Sequence, residues 1–267
     1  MLISAAGFSL MQLCVKFLTH LPVTELVLFR SIVSVIASWV YLKQVRINPL
    51  GNNRKVLLLR GVFGTIALSL FFYTLQKLPI STATTIQYLS PVFTAMFAIW
   101  ILKEPLKPIQ WLFFALALAG IAVIKGFDEN VTYLYLILGI ISAMFAGLAY
   151  NMIRLLKGSD HPVVIVMYFP LVAIPAMGIL SAFNWVSPVG WDWLILLLMG
   201  AFTQVAQVYM TRAWQSDKAS KIASLKYIGI FFALGMDFFI FGVEFGLMTF
   251  LGIALVLSGV VLNLRLK

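Results

Sequence analysis

The chain has 267 residues, of which 62% are hydrophobic and only 10% are charged, and its mean hydropathy is +1.03. These proportions exclude an ordinary soluble domain of this size, whose surface would need a much larger charged fraction. A net charge of +10 would suggest a nucleic-acid partner for a soluble protein, but here the basic residues lie in short gaps between apolar runs, which argues against nucleic acid and indicates a membrane protein.

The apolar runs predict ten membrane-spanning helices. Each run has about seventeen or more residues, enough to cross a bilayer, and ends at Pro, Gly, Asn or charged residues. Proline inside the fourth and seventh runs predicts bent helices there, because proline removes a backbone donor. In chain order, the predicted spans are Leu2–Leu18, Thr24–Tyr41, Val56–Gln76, Thr82–Leu102, Pro108–Ile124, Thr132–Leu155, Pro162–Phe183, Trp191–Ala213, Ser220–Phe241 and Gly246–Leu264.

The basic residues also predict the orientation of the chain. If the amino terminus is cytoplasmic, thirteen of the 19 Lys and Arg residues fall on the inner side, three fall on the outer side and three lie within spans. This bias predicts that both termini are cytoplasmic and that the protein lies in the cytoplasmic membrane. No basic segment precedes the first apolar run, so a removable signal peptide is not expected. Cys14 is the single cysteine, so no intramolecular disulfide can form, and we expect a small core side chain there.

The second half of the sequence repeats the first at a shift of 139 residues. Because each half has five spans, an odd number, the second copy must enter the membrane in the opposite orientation. The sequence therefore predicts an all-α integral membrane protein of two inverted five-helix repeats, residues 1–127 and 128–267, an architecture of many secondary transporters. The polar and glycine matches that support the shift pair Gly61 with Gly200, Gln76 with Gln215, Ser81 with Ser220, Tyr88 with Tyr227 and Gly120 with Gly259.

The most distinctive residues lie in and after the fourth and ninth spans, and two more lie in the second. They are Tyr88 to Phe93, Glu104 and Gly120 in the first copy, Tyr227 to Phe232 and Gly242 to Glu244 in the second, and Phe29 with Arg30. In these residues, and along almost its entire length, the chain resembles the EamA-type branch of the drug/metabolite transporter superfamily.

Three positions depart from the family pattern. Lys103 stands where the family usually has glycine before the glutamate, Ile230 replaces the proline that Pro91 supplies in the first copy, and Glu244 comes one residue late. The resemblance implies ten helices and transport of a small organic metabolite, often export. It does not identify the substrate.

Ionisable side chains inside predicted spans are the first candidates for a functional site, because they are costly in a bilayer. Lys226 has two interpretations of equal weight, a substrate contact or an anchor that reaches the inner headgroups. Asp237 is either a proton-coupling carboxylate or, as the preferred interpretation, a structural ion-pair partner for Arg30. Arg30 itself is expected to bind an ion or carbonyl groups structurally. Arg60, near the cytoplasmic end of its span, is expected to extend towards the headgroups.

Neutral polar residues complete the candidate site, which we expect between the third, fourth, eighth and ninth spans. Gln87 corresponds to Lys226 under the shift, and this exchange of an amide for a cation predicts an asymmetric pocket suited to a substrate with an anionic group. Each residue taken singly is more readily explained by a hydrogen bond to a neighbouring helix. The predicted substrate-binding set is Gln12, Gln87, Tyr88, Asn151, Gln204, Gln207, Lys226 and Tyr227.

We therefore expect a secondary transporter rather than an enzyme. It would move a small organic metabolite, amino-acid-like, anionic or zwitterionic, by alternating access, in export or exchange. The alternative is an intramembrane transferase for lipid-linked substrates, which would gather polar catalytic groups at one membrane face. No cofactor or metal is expected, because His20 and His161 fall in loops on opposite sides of the membrane. The expected partners are a small-molecule substrate and the lipid bilayer, and a homodimer is left open.

Overall fold

The computed structural model describes residues 2–105, 107–127, 132–215 and 229–265, and over these ranges the chain forms helices and no strand. Each described helix overlaps a predicted span. The helices are α1 (Leu2–Phe17), α2 (Val23–Gln44), α3 (Arg54–Lys77), α4 (Ile80–Gln87), α5 (Ser90–Ile101), α6 (Pro108–Phe127), α7 (Tyr133–Leu155), α8 (Pro162–Ser181), α9 (Asp192–Gln215), α10 (Gly229–Phe239) and α11 (Leu247–Arg265).

Six of the described helical stretches are long and apolar enough to cross a membrane. Four more helices are apolar over shorter segments of 10–17 residues, namely α1, α6, α10 and α11. Large apolar side chains cover the outside, for example Trp100, Phe183 and Phe239, which are 68%, 77% and 84% exposed. Such a surface suits lipid rather than water. The all-helical membrane class is therefore confirmed. The six spans are Val23–Gln44, Arg54–Lys77, Ile80–Ile101, Tyr133–Leu155, Pro162–Ser181 and Asp192–Gln215.

The predicted fourth span consists of two helices rather than one bent helix. α4 ends at Gln87 and α5 begins at Ser90, so Tyr88 and Leu89 form the break. Pro91 lies in the first turn of α5, where its missing N–H removes no intrahelical hydrogen bond. The break thus precedes the proline that predicted it. In α8, by contrast, the helix continues through both of its internal prolines.

The helices pack in pairs, and each of the five pairs named here joins one helix of the first half of the chain to one helix of the second. α1 packs on α9 and α3 packs on α7, while α2 packs on α8, α6 on α11 and α4 on α10. In the two halves, α1, α2, α3 and α6 correspond to α7, α8, α9 and α11, and α4–α5 corresponds to α10. Exchanging the halves then converts the α1–α9 pair into the α7–α3 pair. The other three pairs map onto themselves. The packing is therefore consistent with an internal two-fold relation.

Individual close contacts repeat under the same shift of 139 residues. A Cβ atom added to Gly61 would lie 2.6 Å from Val172 Cγ2, and one added to Gly200 would lie 2.5 Å from Val33 Cβ. These contacts are equivalent, because adding 139 turns position 61 into 200 and position 33 into 172. Both distances are shorter than side chains tolerate, so glycine permits the close approach of α3 to α8 and of α9 to α2.

The ends of α5 and α10 are also alike. Glu104 N donates to Ala98 O at 3.1 Å, and Val243 N donates to Asp237 O at 2.9 Å, which are equivalent pairs under the shift. The residue before each donor has a positive φ, 56° at Lys103 and 62° at Gly242. Each helix thus ends shortly before a residue in the left-handed conformation, where glycine is favoured. This explains why glycine is usual at the position of Lys103, which has the left-handed conformation without being glycine.

Candidate functional site

A cavity of about 850 Å³, including its open mouth, lies between α1, α3, α4, α7, α8 and α9 and reaches the start of α10. Most of the wall is apolar or aromatic, with a limited number of polar groups to orient a ligand. The polar side chains in the wall are Ser9, Gln12, Arg60, Thr84, Gln87, Tyr88, Tyr150 and Gln207.

The break between α4 and α5 brings two predicted residues to the cavity. Gln87 ends α4, and its Oε1 lies 3.0 Å from Ser142 Oγ of α7. Tyr88, in the break, is 4% exposed and lines the cavity. A Cβ atom at Gly229 would lie 2.7 Å from Tyr88 Oη, so this glycine leaves room for the phenol. The irregular backbone thus places an amide and a phenol side by side in the wall.

Two further predicted residues line the cavity from other helices. Gln12 of α1 accepts a hydrogen bond from Thr84 Oγ1 through its Oε1 at 3.2 Å. Gln207 of α9 contacts Arg60, with Gln207 Oε1 lying 3.5 Å from Arg60 Nη2. The polar side chains of the wall thus come from α1 and α7 as well as from the expected helices.

Arg60 is the cation that the sequence interpretation misplaced. Its side chain is 2% exposed and lines the cavity instead of extending to the headgroups. The physical reason is that α3 packs against both α7 and α8, so Arg60 faces the protein interior rather than lipid. Gly64, one turn further along α3, leaves room for the guanidinium group and for the Phe169 ring. In the sequence, the feature that could have indicated a buried guanidinium group is the glycine four residues after Arg60, on the same face of the helix.

Two of the predicted residues join helices and are absent from the cavity wall. Ser34 Oγ donates to Gln204 Oε1, and Gln204 Nε2 donates to Ser38 Oγ at 2.8 Å, so this glutamine fastens α9 to α2. Asn151 Nδ2 donates to Thr94 O at 2.9 Å and fastens α7 to α5. For these two residues the structure favours the helix-packing alternative.

Asp237 and Arg30 do not form the expected ion pair. Both oxygens of Asp237 serve the start of α4: Oδ1 accepts from Ile80 N at 2.9 Å, and Oδ2 accepts from Ser81 N at 2.7 Å and Ser81 Oγ at 2.6 Å. A carboxylate is stabilised there because the first N–H groups of a helix lack intrahelical partners. Arg30 lies instead over the Phe169 ring, with its Cζ 4.5 Å from the centroid.

Lys226 and Tyr227, the remaining predicted site residues, lie outside the described residues. Within the described ranges, no three His, Cys, Asp or Glu side chains come together as metal ligands. The cavity therefore offers amides, hydroxyls, aromatic rings and one described cation, Arg60.

Comparison with known proteins assigns the chain to a family. The model of the EamA-like transporter family matches residues 1–126 and again residues 133–265. The chain belongs to the EamA-like transporter family. Two copies of one family model on either side of residues 127–132 account for nearly all of this EamA-like chain.

Several relatives have transporter names. The pseudopaline exporter CntI of Pseudomonas aeruginosa is 32% identical over 85% of this chain and 81% of its own length. Human solute carrier family 35 member G1 is 32% identical over 87% of this chain and 68% of its own. The S-adenosylmethionine uptake transporter of Rickettsia prowazekii is 24% identical over 90% of this chain and 82% of its own length.

The fold has a counterpart among solved structures. A crystal structure that is 17% identical in sequence superposes with a TM-score of 0.67 over 99% of this chain and 98% of its own. At this identity the similarity concerns the fold alone.

Proposed function

We propose that this EamA-like protein is a secondary transporter that carries a small organic anion or zwitterion across the cytoplasmic membrane by alternating access, in export or exchange. The observation that carries the proposal is a cavity with a buried guanidinium group, three amides and several aromatic rings in its wall. Such a cavity can bind and orient a small polar molecule. Relatives named as an exporter and as an uptake transporter support the class but point in opposite directions.

The proposed architecture is ten spans in two inverted repeats, residues 1–127 and 128–267. It is supported by the two separate matches of the family model and by the contacts that repeat at a shift of 139 residues. A further repeated contact lies at the helix ends. Gln76 Nε2 donates to Leu21 O at 2.9 Å, and Gln215 Nε2 donates to Asp160 O at 3.2 Å, again equivalent pairs. Two such halves can rock against each other around a central site.

The charge of the proposed substrate follows from the wall. Arg60 keeps its charge under all physiological conditions. No carboxylate belongs to the described part of the lining. A substrate with an anionic group would therefore gain a charge-assisted hydrogen bond, while a purely cationic substrate would be repelled.

Asp237 supplies a proposed latch between the halves. Its carboxylate joins α10 of the second half to α4 of the first through three hydrogen bonds. Motion of one half against the other would have to break or shift these bonds. Protonation of the carboxylate would weaken them, so coupling of transport to protons is proposed to act here.

The experiment is a transport assay in proteoliposomes with a mixture of small metabolites, followed by mass spectrometry. We expect saturable flux of at least one acidic or zwitterionic compound. Replacing Arg60 by Gln should lower its kcat/KM by about 10- to 100-fold, the value of a hydrogen bond to a charged group. Arg154→Gln is the matched control, since Arg154 contacts Glu104 at 2.6 Å and is not among the residues lining the cavity. Absence of any saturable flux would contradict the proposal.

A further inference from the structure

Two buried guanidinium groups share one aromatic ring. Arg30 of α2 and Arg60 of α3 are 1% and 2% exposed. Their Cζ atoms lie 4.5 Å and 6.0 Å from the centroid of Phe169, so the two atoms can be no farther apart than about 10.5 Å, the sum of these distances. Phe169 and Arg60 both line the cavity.

Neither guanidinium group has an anionic partner in the described part of the chain. No carboxylate there lies within 4 Å of Arg30 or Arg60. The Nε atoms of both residues and Nη1 of Arg30 are buried without a hydrogen-bond partner. The contact from Arg60 to Gln207 Oε1, at 3.5 Å, is at the limit of a hydrogen bond. Guanidinium donors of both residues therefore lack a partner among the described residues.

The ring cannot replace an anion. A cation over an aromatic face is stabilised by the ring quadrupole, but taking a cation out of water costs more than one such contact returns. Here two cations use the same ring, and their mutual repulsion adds to the cost. A cluster of this kind is stable when negative charge is bound and costly when it is not.

We propose that Arg30, Phe169 and Arg60 form a subsite for two negative charges, so that the transported molecule is a small organic dianion. This inference rests on the proposed function and narrows its substrate class. Arg60, which lines the cavity, offers its guanidinium group to an acidic group there. Arg30, on the same ring, stabilises the second charge through the low-dielectric interior. Two carboxylates or one phosphate group would both supply this charge.

The test measures binding to the purified protein through its thermal unfolding midpoint. The ligands are linear dicarboxylates from malonate to adipate, the monoamide of each, and inorganic phosphate, near neutral pH. We expect the best dicarboxylate to bind at least about tenfold more tightly than its monoamide, or about 1.4 kcal/mol. Arg60→Gln should weaken both ligands. Arg30→Gln should remove most of the preference while leaving the monoamide nearly unchanged.

Two controls separate binding from structural support. Arg30→Lys retains the charge and should retain most of the preference. Arg30→Gln should raise the unfolding midpoint of the ligand-free protein, because it removes an unpaired buried cation. If Arg30 merely supports Phe169, the same variant would lower the midpoint and keep the preference, which would overturn the proposal.

The remaining outcomes are also decisive. Stronger binding of phosphate than of any dicarboxylate would support the two-charge subsite and assign a phosphate group to the substrate. Equal binding of dicarboxylates and monoamides, or no binding of any of these ligands, would overturn the inference. Saturable flux of a singly charged anion or of a zwitterion, and of no dianion, in the proteoliposome assay would overturn it while leaving the transporter proposal intact. Absence of all flux would remove the transporter proposal itself.

Discussion

Lys103 has the left-handed backbone conformation that glycine tolerates and other residues resist. Its φ is 56°, and the equivalent position of the second half, Gly242, has a φ of 62°. For a residue with a Cβ atom this conformation costs about 1–2 kcal/mol. The Cβ atom of Lys103 therefore imposes strain at the end of α5 that Gly242 avoids at the end of α10.

Replacing Lys103 by Gly should stabilise the protein by about 1 kcal/mol, because the relief of strain exceeds the added entropy of the unfolded chain. The unfolding midpoint in detergent measures the effect. Gly242→Ala is the matched control and should destabilise by a similar amount. A lower midpoint for Lys103→Gly would show that its side chain makes a contact worth more than the strain.

Residues of one chemical type illustrate how far sequence alone could reach. Gln12 and Gln87 line the cavity, whereas Gln204 joins two helices, although all three appear in the sequence as amides within apolar spans. The difference lies in the rotation of each helix about its axis, which the hydrophobic pattern does not specify when most faces are apolar. Arg60 was misassigned for the same reason.

At the scale of helices, α4 and α10 are joined by a carboxylate at a helix amino terminus. Asp237 accepts from the N–H groups of both Ile80 and Ser81. The sequence placed Asp237 inside its span, but its expected partner, Arg30, lies in a different helix pair. The break at Tyr88 and Leu89 was likewise anticipated only as a bend at Pro91. Apolar runs predicted where helices lie, and only the three-dimensional structure shows which ends meet.

Asp237→Asn should loosen α4, because an amide offers one acceptor oxygen where the carboxylate offers two. The expected loss is about 1–3 kcal/mol, visible as faster amide hydrogen exchange in residues 80–87. If Asp237 also couples protons, the variant should lose pH-driven accumulation and keep substrate exchange.

Asp160→Asn provides the control for this prediction. Asp160 Oδ1 accepts from Asn52 N at 2.6 Å and so supports a different connection, just before α3. This variant should leave exchange in α4 unchanged. Unaltered exchange in α4 of Asp237→Asn would contradict the latch, and intact accumulation would remove Asp237 as the coupling group.

At the scale of the whole molecule, the two halves are expected to respond alike to equivalent changes. Gly61→Val and Gly200→Val should each destabilise by about 1–3 kcal/mol, because each new side chain meets a valine on the neighbouring helix. Gly178→Val in α8 is the control, since nothing lies within 4 Å of a Cβ atom there. Thermal unfolding in detergent compares all three. A large loss at Gly178, or at only one of the equivalent glycines, would contradict the proposed repeat.

The most direct measurement for alternating access is the labelling of a cavity position from each side of the membrane. Ser9 lines the cavity, so Ser9→Cys in a Cys14→Ala background gives a single thiol. A membrane-impermeant thiol reagent is applied to intact cells and to inside-out vesicles. We predict labelling from both sides, with the ratio changed by bound substrate. Labelling from one side only, whatever substrate is present, would contradict the account.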